Sequence, residues 1–458
     1  MRTGELGFWW RSLGGPPAPR PPLPGPMQAD VAIVGGGYTG LWAAYYLKRA
    51  DPSLEIVVLE REFAGFGASG RNGGWVSGFF SGSPRVYERG GRREGYAALQ
   101  RAMLDTVDEL ARVLAEERID ADFIKGGQLG VALDGAQLAR LRGQLRASRE
   151  RGLGERDLYE LGQQELAERV RIVGARGGTF SPHVARVHPA KLLGGLAGAV
   201  ERLGVRIFEG TRVSEIRPHA ALTRAGTVDA RWVIRATEGY TASLRGLERA
   251  LVPMNSSMII TEPLSEAVWE EIGWQGCEVL GDYAHVFAYL QRTADGRIAI
   301  GGRGVPYRFG SRTDGSGDTA RSTIESLRAK LVAMFPAAGA AELDHAWSGV
   351  LGVPRDWCVS VDSDPATGLA WAGGYVGEGL AAANLAGRTL RDLVLGERSD
   401  LTELAWVGRR PRRWEPEPLR WGAIRGVYSL YRAADRIERR SGRPSRLGRL
   451  VDVLSGRG

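Results

Sequence analysis

The sequence predicts an α/β protein in which a largely antiparallel mixed sheet is inserted into a parallel one, with a basic helical extension at its C-terminus. Three observations predict it. Residues 29–34 and Ile56–Leu59 are buried-strand runs, and the stretch between them carries a helical apolar face through Leu41, Ala44, Tyr45 and Leu47. Strand, helix and strand within about thirty residues make a βαβ unit, which requires a parallel sheet. From residue 254 to 304 the pattern changes to alternation, with strand-like runs at 258–261, 285–289 and 297–300 and hairpin chemistry at Ala294-Asp295-Gly296. Residues 409–458 hold 14 Arg and 5 acids, a net +9 against +8 for the whole chain, so residues 1–408 sum to −1. A basic tail on a neutral body disfavours nucleic acid as a partner of the body.

The remaining elements follow in order. Residues 14–27 hold seven Pro in fourteen, an irregular or polyproline lead-in rather than a core element. Helical patterns run over 96–117, 136–151 and 192–203, short strands over 205–208, 211–216 and 232–234, and there is no internal repeat. In the tail, Ala423, Val427, Leu430, Ala434 and Ile437 share one helix face, with Arg425, Arg432, Asp435, Arg436 and Arg439 on another. That extension can dock on the body, on a partner subunit or on an anionic membrane surface, the body being the default.

Composition narrows the class. The 458 residues are 43% hydrophobic and 25% charged, which excludes a disordered or collagen-like chain. Gly, at 65 residues, is about twice its usual share of roughly 7%, as expected of tight turns and close backbone approach to a ligand. Two cysteines, Cys277 and Cys358, exclude a disulfide scaffold and a Cys-rich metal centre, and suit a reducing compartment. No run of 18 apolar residues is present, and Phe8-Trp9-Trp10 before Arg11 is too short for an export signal, so a cytoplasmic protein is expected.

Gly35-Gly36-Gly37-Tyr38-Thr39-Gly40 satisfies G-x-G-x-x-G, follows a buried strand and opens a helix. Gly65–Gly70 also satisfies the pattern but joins no strand to a helix, so context rather than spelling carries the reading. Gly35 makes the turn, Gly37 admits a pyrophosphate to the backbone, and Gly40 lets helix and strand pack closely. The helix N-terminus presents N–H donors to the anion. Glu60, 20 residues past Gly40, closes the next strand, where a carboxylate accepts ribose hydroxyls and repels a 2′-phosphate; Arg61 follows it. These features predict a Rossmann-type dinucleotide-binding domain.

Which dinucleotide is bound is suggested by resemblance. Gly67-Ala68-Ser69-Gly70-Arg71-Asn72-Gly73-Gly74 looks like the second flavin-contact segment of FAD oxidoreductases of the D-amino-acid oxidase/glycine oxidase (DAO) family. Residues 231–239 resemble that family's strand returning to the cofactor domain, with Thr237 in its Ala-Thr-Gly turn and Glu238 interrupting it. Val213 matches the position whose backbone meets adenine, and Gly373-Gly374-Tyr375-Val376-Gly377-Glu378-Gly379 resembles the segment at the isoalloxazine ring. The Tyr38-Thr39-Gly40 ending, the 65–74 block and Asn384–Arg388 look like the γ-glutamylputrescine oxidase-like branch. The resemblance spans roughly residues 29–396 and implies a Rossmann-type FAD-binding domain assembled from 28–95, 182–248 and 345–408. A substrate domain from 96–181 and 249–344 would be inserted into it, flanked by a lead-in at 1–27 and the extension at 409–458.

The chain has no second strand-linked G-x-G-x-x-G and no C-x-x-C, so electrons are expected directly from a small organic substrate. The resemblance implies hydride transfer from a carbon bearing nitrogen to flavin N5, leaving an imine that water hydrolyses, with O2 as expected acceptor and peroxide as product. A dehydrogenase handing electrons to a quinone or carrier at a membrane, and a non-catalytic flavin-binding subunit, are the other readings. Site candidates on the inserted sheet are Tyr283, His285, Tyr289 and Arg292, with His285, Phe287 and Tyr289 on one face by period two. Aromatic walls suit an amine. Arg71 and Arg303 are candidates to place positive charge near the reduced flavin, Arg355 to hold a substrate carboxylate, and Cys358 to anchor FAD, although a buried inert thiol is the commoner state. His188 reads as a turn residue. No metal site is expected, and substrate identity and oligomeric state are left open.

Overall fold

The computed structural model describes residues 1–88, 93–313 and 315–455. The elements that frame the site are strands β1 (Met27–Val34), β2 (Ile56–Leu59), β3 (Thr227–Arg235), β4 (Val252–Thr261), β5 (Ala288–Arg292), β6 (Ile298–Gly302), β7 (Leu343–Val353) and β8 (Leu369–Gly373). With them stand helices α1 (Tyr38–Ala50), α2 (Gly379–Leu395), α3 (Leu419–Ser441) and α4 (Arg446–Ser455).

One sheet is parallel through its centre. Arg206–Phe208, β2, β1, β3 and β8 run side by side in that order, each parallel to the next. Residues Val31–Val34 and all of β2 are buried, as central strands covered on both faces must be. Helices α1 and α2 pack together so closely that a Cβ at Gly387 would come 2.8 Å from the Trp42 backbone carbon. The second sheet runs in the order Arg2–Thr3, β7, β4, β6, β5, Val279–Asp282, Gln128–Ala132, Gly177–Ser181, Tyr159–Leu161. Its pairings are antiparallel except at two places, Arg2–Thr3 beside β7 and Val279–Asp282 beside Gln128–Ala132. The parallel and largely antiparallel sheets of the sequence reading are therefore both present.

Three local expectations differ from the structure. The N-terminal segment is not merely a lead-in: Arg2–Thr3 pairs with His345 and Ala346, and Phe8, Trp9 and Trp10 are buried. Trp9 stacks edge-on against Trp347 and donates its indole N–H to Asn72 O at 2.8 Å. Strand β5 begins at Ala288, so His285 and Phe287 precede it and share no strand face with Tyr289. Finally, the buried face of α3 is Ile424, Tyr428, Tyr431, Ala434 and Glu438, while Ala423, Leu430 and Ile437 are exposed. The two tyrosines bury more area than the small aliphatic residues would, and they turn the helix accordingly.

Candidate functional site

A cleft enclosing about 1850 Å³, open solvent at its mouth included, runs from the end of β1 to the face of β5 and β6. At one end Gly35 turns with φ +112°, a conformation only glycine adopts readily, and a Cβ there would lie 2.5 Å from Ala236 O. A Cβ at Gly40 would lie 2.0 Å from Gly35 O, so α1 can start this close to β1 only with glycine there. Gly37 is the N-cap of α1 and supplies no side-chain cap. Ser69 Oγ reaches across the cleft to accept the Tyr38 N–H at 2.9 Å. The Tyr38 hydroxyl donates to Pro189 O, and Thr39 Oγ1 and Tyr375 Oη are 3.0 Å apart, which ties α1 to the far turn of the cleft.

Glu60 lines the cleft at the tip of β2. Its carboxylate accepts the Gly36 and Glu62 N–H groups at 2.8 and 3.0 Å, and burial nonetheless lifts its pKa. Arg61, Gly67, Ala68, Asn72, Gly73, Val213 and Thr237 line the same space. Arg71 is buried and also lines it. Its guanidinium donates to Phe66 O, Ser348 O and Gly315 O and stacks over the Phe66 ring. Asn72 holds its own loop by donating to Ala68 O and Ser69 O and accepting from Gly74 N–H.

The other end is a chamber lined by Trp75, Ser256, Phe287, Tyr289, Arg303 and Glu378. The Tyr289 ring fits between two glycines: a Cβ at Gly301 would come 2.1 Å from its Cζ and one at Gly73 2.8 Å from its Cε2. Its hydroxyl meets Ser256 Oγ at 2.9 Å, and Trp75 stands edge-on to the ring. Arg303 donates one amino group to Val376 O at 3.3 Å, while its Nη1 is buried with no hydrogen-bond partner among the described residues. Burial raises the Glu378 carboxyl to about 7, with the Ser77 hydroxyl acting in the opposite direction.

Several expected residues serve the site from behind or not at all. Gly40, Gly70, Gly74 and Gly374 do not line the cleft but let its walls approach; a Cβ at Gly70 would meet both Gly65 O and Trp10 Nε1 at 2.3 Å. His285 is directed elsewhere: its Nε2 lies 3.2 Å from Glu438 Oε1 and 2.8 Å from Arg140, and its ring stacks on Tyr431 of α3. Arg292 donates to Trp274 O and covers the Trp269 ring. Tyr283 pairs with Thr179. None of these three touches the cleft, so His285 and Arg292 are not placed to act on a substrate there, contrary to the expectation from sequence. Arg355 is paired with Glu415. Cys358 lies outside the cleft, its thiol raised to about 12 by burial. His188 caps the helix Pro189–Arg202 and meets Ser12 Oγ.

Glu238 is the residue sequence reasoning undervalued. It interrupts the Ala-Thr-Gly pattern, adopts φ +40°, and its carboxylate accepts the Gly374 and Tyr375 N–H groups, both at 3.0 Å. It thereby fastens the turn after β3 to the turn after β8. A Cβ at Gly352 would lie 2.1 Å from Glu238 Oε2, so β7 also makes room for it. The extra length of Glu over Gly at this position was the signal.

A family model for FAD dependent oxidoreductases (DAO) matches residues 30–393. The chain belongs to that family. Among relatives of this DAO-family chain, the gamma-glutamylputrescine oxidoreductase of Escherichia coli is 30% identical over 81% of the chain and 84% of its own length. A probable oxidoreductase, OrdL, of Haemophilus influenzae is 29% identical over 82% and 85%. The crystal structure of glycine oxidase from Geobacillus kaustophilus superposes with TM-score 0.68 at 22% identity, over 81% of this chain and 96% of that one, which shows the shared fold. The protein is thus an FAD-dependent oxidoreductase of the amine and amino-acid type. The cleft suits the cofactor: a glycine-walled helix N-terminus whose N-cap, Gly37, has no side chain to obstruct a pyrophosphate, an acid at the tip of the adjoining strand for the ribose, and a wall from Tyr375 to Gly379 for the ring.

Proposed function

We propose that the protein oxidises the carbon–nitrogen bond of a small amine that also carries an anionic group, with O2 as acceptor. The chamber carries this reading: an aromatic box next to the cofactor cleft, with one cation and one acid on its wall. FAD, when bound, would supply the two-electron hydride acceptor. Gly35, Gly37 and the start of α1 would hold its pyrophosphate, Glu60 its ribose, and the 373–379 turn its ring.

The chain's own residues then do the positioning. Trp75, Phe287 and Tyr289 exclude water and attract an ammonium or its neutral amine through their faces. Glu378, with its carboxyl near 7, accepts the ammonium proton once the pH exceeds that value, leaving the neutral amine from which hydride can depart. The buried Nη1 of Arg303 receives a substrate carboxylate, a partner that would satisfy the donor. Loss of hydride gives an imine, and water cleaves it to a carbonyl product and ammonia or a smaller amine.

The test is anaerobic addition of simple amines, α-amino acids and ω-amino acids to the yellow holoprotein, followed by air. Bleaching by carboxylated amines but not by their decarboxylated analogues, with one peroxide formed per amine consumed, is the expected result. Bleaching by none of them overturns the reading. A second reading, transfer to a quinone, is favoured by one observation: Val376 of the cofactor wall packs in the same apolar cluster as Ile424 and Tyr428 of the basic α3. Slow reoxidation in air with fast reoxidation by a soluble quinone would select it.

A further inference from the structure

We propose that the outer surface of α3 and α4 docks on an anionic lipid bilayer. Between Leu419 and Ser455 one arginine, Arg420, is buried, while Arg425, Arg432, Arg436, Arg439, Arg440, Arg443, Arg446 and Arg449 are exposed. The three acids of the same stretch all turn inward. Asp435 accepts the His285 and Val286 N–H groups, Glu438 accepts from Arg140 and Ser445, and Asp452 accepts from the Tyr431 hydroxyl. Glu438 is buried and Asp435 and Asp452 are only partly exposed, so the outward charge is predominantly cationic.

Beside the arginines runs an apolar stripe. Leu419, Leu430 and Ile437 are spaced by 11 and 7 residues, close to whole turns of a 3.6-residue helix, so they share one side of α3. Their exposures are 65%, 37% and 48%, and α4 adds Leu450 at 55% and Val453 at 74%. Of the large apolar residues exposed among the described residues, these five of twelve fall within the last forty positions of the chain. Aliphatic side chains beside a band of long cations suit a helix lying in a membrane interface: the former enter the acyl boundary and the latter extend to the headgroups. Nucleic acid would use the cations and leave the aliphatic stripe in water. A bilayer answers both, and it needs no matched spacing of partner acids.

Flotation of the holoprotein with phosphatidylglycerol/phosphatidylcholine vesicles tests this, with phosphatidylcholine vesicles and a short DNA duplex as comparisons. The expected result is co-flotation with anionic vesicles only, falling at least tenfold between 50 and 200 mM salt as headgroup charges are screened. Two surface variants, R436E/R439E/R443E and L430S/I437S/L450S/V453S, should each lower binding at least tenfold while circular dichroism and FAD content stay unchanged. Absence of vesicle binding, equal binding to neutral vesicles, or binding that survives either variant overturns the proposal. So does a dimer, seen by light scattering, that the serine variant dissociates in a protein that does not float.

Discussion

Individual residues set the sharpest expectations. Gly40→Ala places a Cβ 2.0 Å from Gly35 O, a backbone atom that cannot swing aside. Overpacking of this kind costs about 1–3 kcal/mol, so the variant should melt several degrees lower and purify with less than a tenth of the FAD, read from the flavin-to-protein absorbance ratio. Glu378 gives a pH signature. With its carboxyl near 7, kcat/KM for a preferred amine should rise tenfold per pH unit below 7 and level above it. Glu378→Gln should remove that limb and lower the plateau at least tenfold; an unchanged limb would assign the titration to another group. Arg303→Met should raise KM for a carboxylated amine at least 30-fold and change it little for the uncharged analogue.

At the level of elements, the N-terminal helix Phe8–Arg11 is a support for the cofactor loop, because Trp9 grips Asn72 and Trp10 backs Gly65 and Gly70. Trp9→Ala should cost about 3–5 kcal/mol, seen as a lowered urea midpoint, and should release FAD more readily, seen as recovery of flavin fluorescence. The sequence announces some of these elements and hides others for a physical reason. The β1–α1 turn is legible because its chemistry is local: a tight turn, a close helix and an N-cap without a side chain all need glycine within six residues. The support from Trp9 is not, since its partners Asn72 and Trp347 lie 63 and 338 positions away. His285 misled for the same reason. Period two assumed a strand from 285, but Glu438 and Asp435, about 150 residues downstream, hold that segment out of the sheet. The face of α3 is hidden from an apolar count, which weighs Ala423 and Val427 like Tyr428 and Tyr431, whose rings pack on the body, Tyr431 against His285.

For the molecule as a whole, two half-buried carboxyls make stability depend on pH. Glu238 and Glu378 are each raised from 4.5 to about 7, mainly by burial. In that window the folded chain binds more protons than the unfolded one, so the FAD-free protein should lose stability from about pH 4.5 to 7 and level off above. Urea midpoints across this range check the sign, and the Glu238→Gln and Glu378→Gln variants should each flatten the slope. A midpoint that rises through the window would mean that other groups dominate.

The pairing of Arg2–Thr3 with β7 also has a consequence for biosynthesis. Phe8 and Trp9 pack against Trp347, which is made more than 330 residues after them. At about 5–20 residues per second, the ribosome leaves that aromatic pair without its β7 partner for tens of seconds. Nascent chains should accordingly be guarded by a chaperone there until translation passes β7.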